Sequence, residues 1–217
     1  MNFGSKKTIK ALLRQYQIQP AKRLGQNFLI DRNALQKIIK ASDLKPEEVV
    51  LEVGPGIGSL TFELAKQVKK VIAVEKDQKM AQILEELLEG WNVRNVEIIK
   101  GDILKLTPET YPLKPYKIVA NIPYYLTSPL IRKFLEAKNP PQEMVLMVQK
   151  EVAQRICAKP PKMSVLAVSV QFYAKPKIIS YVSKKSFWPQ PKIDSAILRI
   201  DPLINADKKL IHAGSFF

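Results

Sequence analysis

The chain has one cysteine, Cys157, and one histidine, His212, in 217 residues. A lone thiol excludes an internal disulfide, and a lone thiol with a lone imidazole excludes a His/Cys metal centre, so no metal is expected. No apolar run reaches the roughly 18 residues that would cross a bilayer as a helix. The first ten residues carry charge but lack the apolar core of a secretory signal, and the expected location is the cytoplasm. Repeats and low-complexity tracts are absent as well. Acidic residues are missing where basic ones gather. Residues 1–30 hold six Lys/Arg and no acid, residues 31–157 hold nineteen basic and seventeen acidic groups, and residues 158–217 hold ten and three. A near-neutral body with two basic ends, +15 in all, suits a protein that touches phosphates.

What remains is ordinary for a single globular domain: 46% hydrophobic and 25% charged residues. Residues 6–16 place Ile9, Leu12 and Leu13 at helical spacing, predicting a short basic amphipathic helix. Residues 19–30, with Pro20 and Gly25, read as a loop, and Asp31 as the N-cap of a helix through Leu35, Ile38 and Ile39. Short apolar runs then alternate with helical patterns. Strands are predicted at 49–53, 71–75, 96–100, 117–120 and 144–148, and helices near 59–67, 79–89, 128–137 and from Lys150. Runs without strict alternation belong to strands covered on both faces, as in a doubly wound, mostly parallel α/β sheet. Strands at 177–182 and 196–200 flank a proline-rich loop at 186–192 and predict a hairpin-like, antiparallel finish.

Two motifs carry chemistry. Asn121-Ile122-Pro123-Tyr124 follows the fourth of these strands. Its amide and nearby carbonyls offer acceptors for an exocyclic amine, proline fixes the turn, and the tyrosine ring offers a stacking surface. Glu52-Val53-Gly54-Pro55-Gly56-Ile57-Gly58 lies between a strand and a helix. Its G-x-G-x-G spacing and the acid two residues before the first glycine differ from a dinucleotide fingerprint and suit a cationic ligand better than a pyrophosphate. Glu75, 21 residues after Gly54, ends the second strand and can take ribose hydroxyls, and Asp102 ends the third and can take an adenine amine. Each acid alone could equally cap the next helix. Together they point to one crevice holding an adenosine with a sulfonium, S-adenosylmethionine, and make a nicotinamide oxidoreductase the weaker reading.

With these residues assembled, the chain resembles the rRNA adenine dimethyltransferase family. The match lies in Gln26-Asn27-Phe28-Leu29, Glu52 to Gly58, Gly101-Asp102, Asn121 to Pro129, Gln149 to Arg155, and Phe187-Trp188-Pro189-Gln190-Pro191-Lys192-Ile193-Asp194-Ser195, spanning about residues 20–201. The resemblance implies a Rossmann-like class I S-adenosylmethionine-dependent methyltransferase with a seven-stranded sheet and an antiparallel final strand. It implies that Asn27, Leu29, Gly54, Glu75, Asp102 and Asn121 bind the cofactor. It further implies that Asn121 and Tyr124 hold the target adenine while Phe187 closes on its other face. The substrate so implied is small-subunit (16S-type) rRNA, giving dimethyladenosine in ribosome biogenesis, with the enzyme acting as a monomer. Alternatives are a large-subunit enzyme of the macrolide-resistance type and a noncatalytic RNA-binding assembly factor.

The expected organisation is a basic helix and cofactor-contacting loop at 1–30, a catalytic domain at 31–201, and at 202–217 the start of a C-terminal region. Family members usually continue into a small helical domain. Phe216-Phe217 read as its beginning, and a truncated chain is expected.

Overall fold

The computed structural model describes residues 5–21, 24–107 and 116–203. One sheet is built from seven strands: β2 (Val49–Val53), β3 (Lys70–Glu75), β4 (Val96–Lys100), β5 (Lys117–Asn121), β6 (Glu143–Gln149), β7 (Ala174–Val182) and β9 (Ser195–Pro202). Their order across the sheet is β4-β3-β2-β5-β6-β9-β7. The pairs β2–β3, β3–β4, β2–β5 and β5–β6 are parallel, and β9 runs antiparallel to β6 and β7 between them. The antiparallel final strand is as expected. It pairs with β7 as a long hairpin at the edge of the sheet, with β9 placed on the inner side against β6.

The apolar runs are continuous because both faces are covered. Leu51, Ile72, Ile118, Ala120, Met144 and Leu146 pack with Leu130, Ile131 and Phe134 of α5 (Thr127–Leu135) and with Ala153 and Ile156 of α6 (Lys150–Ile156). Their strand neighbours Val50, Val71, Val119, Val145 and Met147 face Leu35 and Ile38 of α2 (Arg32–Ala41) and Leu64 of α3 (Thr61–Ala65). The alternation of the pleat thus feeds two cores. In a third cluster, Ile9, Leu12 and Leu13 of α1 (Lys6–Gln15) pack with Met80, Ile83 and Leu84 of α4 (Gln78–Gly90). The basic helix is therefore docked by its apolar stripe.

Asp31 caps α2 as expected, its Oδ1 accepting from Asn33 N at 2.9 Å and Ala34 N at 3.2 Å. Two findings depart from the expected pattern. The predicted loop at 19–30 contains a two-residue strand, β1 (Phe28–Leu29), paired antiparallel with β8 (Phe187–Trp188). A helix, α7 (Val165–Tyr173), precedes β7, and Leu203 N donates to Tyr173 O at 2.9 Å where the chain leaves it. Phe216 and Phe217 lie outside the described residues.

Strand order fixes where a ligand can sit. The chain runs outward from β2 through β3 to β4, then returns to β5 on the other side of β2. The switch point between β2 and β5 opens a crevice at the strands' carboxyl ends, where the glycine turn and Asn121 both emerge.

Candidate active site

The glycine turn leaves β2 and is folded by its glycines. Gly54, Gly56 and Gly58 have φ of +68°, +57° and +89°, and Gly54 N donates to Val74 O at 2.9 Å. At Gly58 even an alanine does not fit, since a Cβ there would stand 2.5 Å from Leu84 Cδ1 and 3.0 Å from Phe62 Cε2. The turn therefore closes directly onto α4.

Glu75, buried at the end of β3, tethers this turn. Its Oε2 accepts from Gly56 N at 3.0 Å and its Oε1 from Asp77 N at 2.9 Å. Burial raises its pKa, opposed by those two N–H groups. Each oxygen keeps further acceptor capacity, so the carboxylate can shape the loop and still take a diol. Asp102 sits at the rim. Lys76 Nζ contacts its Oδ2 at 2.8 Å and Leu104 N its Oδ1 at 3.0 Å. The Lys76 ammonium holds this carboxyl below its ordinary value, with the Leu104 N–H assisting.

Glu52, the acid that the sequence places beside the glycine turn, lies deeper than the other two. It is 1% exposed, its Oε2 has no hydrogen-bond partner, and neither does Thr61 Oγ1. Burial pushes its pKa up to about 8, and the Glu75 charge adds to the rise.

The segment before β1 is latched to both halves of the crevice. Gln26 Nε2 donates to Asp77 Oδ2 at 3.1 Å, and Gln26 Oε1 accepts from Ala21 N at 2.8 Å. On the other side, Asn121 Nδ2 donates to Asn27 O at 3.2 Å. That bond uses the amide nitrogen and so orients Asn121 with Oδ1 as its acceptor. A Cβ on Gly25 would meet Pro123 Cβ at 3.4 Å, and one on Gly54 would meet Pro123 Cδ at 3.6 Å. Pro123 is thus packed against both glycine turns. Past it, Tyr124 opens a short 3-10 turn to Leu126, and Thr127 Oγ1 donates to Tyr124 O at 3.0 Å. The Tyr124 hydroxyl and Ser195 Oγ are 2.8 Å apart, so β9 holds the ring by its polar end. Burial raises the Tyr124 pKa, and the Ser195 hydrogen bond opposes it. The hydroxyl stays neutral at physiological pH.

All eight residues singled out from the sequence line one cavity: Asn27, Leu29, Gly54, Glu75, Asp102, Asn121, Tyr124 and Phe187. Phe187 is 2% exposed and pairs with Leu29 across β1 and β8, so it reaches the cavity as part of the core. Sequence reasoning assigned no role to Gln26, Lys76, Tyr125 or Ser195. Gln26, Tyr125 and Ser195 lie inside the matched blocks, which was the available signal. Lys76, which lines the cavity, had none. Among the described residues no group of three or more His, Cys, Asp or Glu could hold a metal.

The donor set fits an adenosine cofactor with a cationic centre. A glycine turn allows close approach, Glu75 has lone pairs to spare for a diol, and Glu52 presents a buried, unpartnered oxygen. With its sheet order and its crevice at the β2/β5 switch, the fold is that of the class I, Rossmann-like S-adenosylmethionine-dependent methyltransferases. Residues 18–211 match the family model described as ribosomal RNA adenine dimethylase, and the chain belongs to that family. It is 49% identical over 193 residues to the ribosomal RNA small subunit methyltransferase A of Dehalococcoides mccartyi (strain CBDB1), covering 88% of this chain and 66% of that protein. The chain thus spans about two thirds of that relative's length. A crystal structure of a dimethyladenosine transferase from Plasmodium falciparum superposes with a TM-score of 0.73 at 34% identity, covering 80% of this chain and 62% of the other. The 23S rRNA methyltransferase ErmE superposes with a TM-score of 0.74, also at 34% identity, covering 82% and 70%.

Proposed function

We propose that this chain transfers methyl groups from S-adenosylmethionine to the exocyclic amine of adenines in small-subunit rRNA, giving dimethyladenosine during ribosome biogenesis. It acts in the cytoplasm as a monomer without a metal. Residues 31–201 form the catalytic domain, residues 1–30 supply the helix and the cofactor-contacting loop, and residues 202–217 lead into a C-terminal region. The observation that carries the reading is the Asn121 amide, whose nitrogen donates to the Asn27 carbonyl and so leaves its oxygen as an acceptor.

Bound S-adenosylmethionine supplies a methyl group on a cationic sulfonium. Glu75 would receive the ribose hydroxyls and Asp102 the adenine amine, while Asn27, Leu29 and Gly54 would form the walls. On the acceptor side, the amine lone pair of an adenine is conjugated with its ring. Accepting the two amine hydrogens, one on Asn121 Oδ1 and one on the Ile122 carbonyl, draws that nitrogen toward tetrahedral geometry and directs its lone pair at the methyl. No strong base is needed. Tyr124, its hydroxyl anchored on Ser195, and Phe187, fixed in the core, take the two faces of an extruded base. Each aromatic stack contributes about 1–3 kcal/mol.

The test is transfer from labelled cofactor to unmethylated small subunits, with mass analysis of the nucleosides. Dimethyladenosine is expected in small-subunit rRNA. It should vanish in Asn121→Ala, whose cofactor affinity should stay within about fivefold because one contact among several is lost. The likeness to ErmE supports a second reading. Label in large-subunit rRNA alone would move the chain to the macrolide-resistance type, and cofactor binding without transfer to any RNA would make it an assembly factor.

A further inference from the structure

Beside the acceptor cavity lies a cluster of lysines that the proposed chemistry does not use. Residues 183–194 connect β7 to β9 and carry Lys184, Lys185 and Lys192, and Lys150 opens α6 next to them. Asp194 ties these pieces together. Its Oδ1 accepts from Lys184 N at 3.0 Å and its carbonyl from Lys150 N at 3.1 Å. Lys184 Nζ donates to Lys192 O at 3.4 Å. None of the four lysines belongs to an ion pair among the described residues, although Glu151 follows Lys150 directly. Lys175 and Lys177 have a plain explanation, since β7 is an edge strand and charge there blocks pairing with another chain. The loop lysines lie past that edge and guard nothing.

Within the cluster stands Tyr181, 50% exposed. Lys150 Nζ lies 5.3 Å from its ring centroid, and Gln154 Nε2 donates to its hydroxyl at 3.4 Å. Tyr181 pairs with Ala196 across β7 and β9, and the next pair is Val182 with Ser195, the residue that holds Tyr124. With strands ~4.8 Å apart and ~3.3 Å rise per residue, the Tyr181 and Ser195 backbones stand about 6 Å apart. Tyr181 thus stands beside the strand end that anchors the Tyr124 ring, its side chain leaving the sheet on the Ala196 face and that of Ser195 on the Val182 face. An exposed aromatic ring flanked by unpaired cations is the arrangement by which proteins hold single-stranded nucleic acid.

We infer that Tyr181 is a stacking platform for the nucleotide flanking the target adenine, with Lys150, Lys184, Lys185 and Lys192 taking the adjoining phosphates. The inference rests on the reading of the cavity as an adenine methyltransferase site. It adds a surface that selects single-stranded RNA and holds the strand while one base is extruded.

Fluorescence anisotropy with a single-stranded oligouridine carrying one central adenine tests this. Versions with an abasic residue on the 5′ or the 3′ side of the adenine complete the set. One abasic position should weaken binding by the parent chain about tenfold, the value of one base-aromatic stack. Tyr181→Ala should weaken binding of the intact oligonucleotide by the same factor and lose its sensitivity to that abasic position, while Tyr181→Phe stays within twofold of the parent. Replacing Lys184, Lys185 and Lys192 together by glutamine should flatten the log–log salt dependence by about 2 units, at roughly 0.7 per phosphate. Affinity for S-adenosylhomocysteine should be unchanged in every variant. A parent chain indifferent to both abasic positions overturns the inference without recourse to any variant. So does a Tyr181→Ala protein as sensitive to them as the parent. Failure of the parent to methylate any RNA, with the anisotropy pattern intact, sinks the activity and leaves the platform standing.

Discussion

Glu52 makes the stability of this protein depend on pH in an unusual direction. Its carboxyl is almost wholly buried, with Oε2 unpartnered, and its pKa is raised from an ordinary 4.5 to about 8. Between those two values the folded chain holds a proton that the unfolded chain has released, so stability falls as pH rises through the window. Below 4.5 both states are protonated and the residue contributes nothing. Above 8 both are charged and the penalty is complete. At about 1.4 kcal/mol for each pH step of one across that window, the loss between pH 4.5 and 8 is on the order of 3–5 kcal/mol, a large share of the stability of a domain this size. Glu143, pushed up to about 7 mainly by burial, acts in the same direction, so the difference between parent and Glu52→Gln is the informative quantity. Glutamine keeps the shape and removes the charge, and the unpartnered Thr61 Oγ1 offers its amide an acceptor. Urea unfolding from pH 5 to 9 should show the variant gaining on the parent throughout that window and clearly more stable at pH 8.5. Parallel stability curves would refute the assignment. The same group should report on the cofactor. Calorimetric titration at pH 7 in buffers of different ionisation enthalpy should detect release of up to about one proton on binding to the parent, as a neighbouring cation restores the charge of Glu52. Binding to Glu52→Gln should release none.

Two further outcomes test how the crevice is held. Gly58→Ala combines a left-handed φ of +89° with a 2.5 Å approach to Leu84 and should cost about 2–5 kcal/mol in urea unfolding, whereas Gly90→Ala, with nothing within 4 Å, should change stability by less than about 1 kcal/mol. Asp31→Ala removes the α2 cap and also the acceptor of Ser186 Oγ at 2.7 Å. It should cost about 1–2 kcal/mol and raise the cofactor KM, since Ser186 O accepts from Ile30 N at 2.8 Å beside the β1–β8 pair. The Asp31 carboxyl is held below its ordinary value. Burial works upward there, but the Ser186 hydroxyl and the Ala34 and Asn33 N–H groups outweigh it. The stabilisation is therefore present above pH 3.8 and lost as pH falls through the lower, folded value. The acid limb of the stability curve should be shallower in the variant.

The parallel strands were legible because each is a short apolar run filling two cores at once, bounded by polar turns. The crevice was legible because Glu52, Glu75, Asp102 and Asn121 follow or sit within successive strands, and a doubly wound order brings such ends together. The β1–β8 pair was not. Two-residue strands have no period, and their partners lie 160 positions apart (Phe28 and Trp188). Helix α7 was missed because Val165-Leu166-Ala167-Val168-Ser169-Val170 is apolar on nearly every side, which removes the contrast that marks a helix. Asp102 was read as a possible acceptor for an adenine amine, and nothing in the sequence announced that Lys76, one residue past Glu75, would reach its Oδ2. Nor does spacing reveal that Glu52 has no partner. That follows from the depth of β2, which only the assembled sheet fixes.

The position of β8 and β9 also governs when this protein can first act. Synthesis runs from the N-terminus, and the half of the sheet that carries the glycine turn is complete by Lys100. The acceptor side waits for three residues near the other end of the chain: Trp188 to pair with Phe28, Phe187 to line the cavity, and Ser195 to hold Tyr124. Strand β7, although made earlier, has no place in the sheet until β9 slides in beside β6. The strands of the nucleotide-sized half of the crevice are therefore synthesised before the last strands of the base-sized half. A nascent chain halted before residue 187 would lack Phe187 and Ser195 on the acceptor side and the β8 partner of Leu29 on the cofactor side.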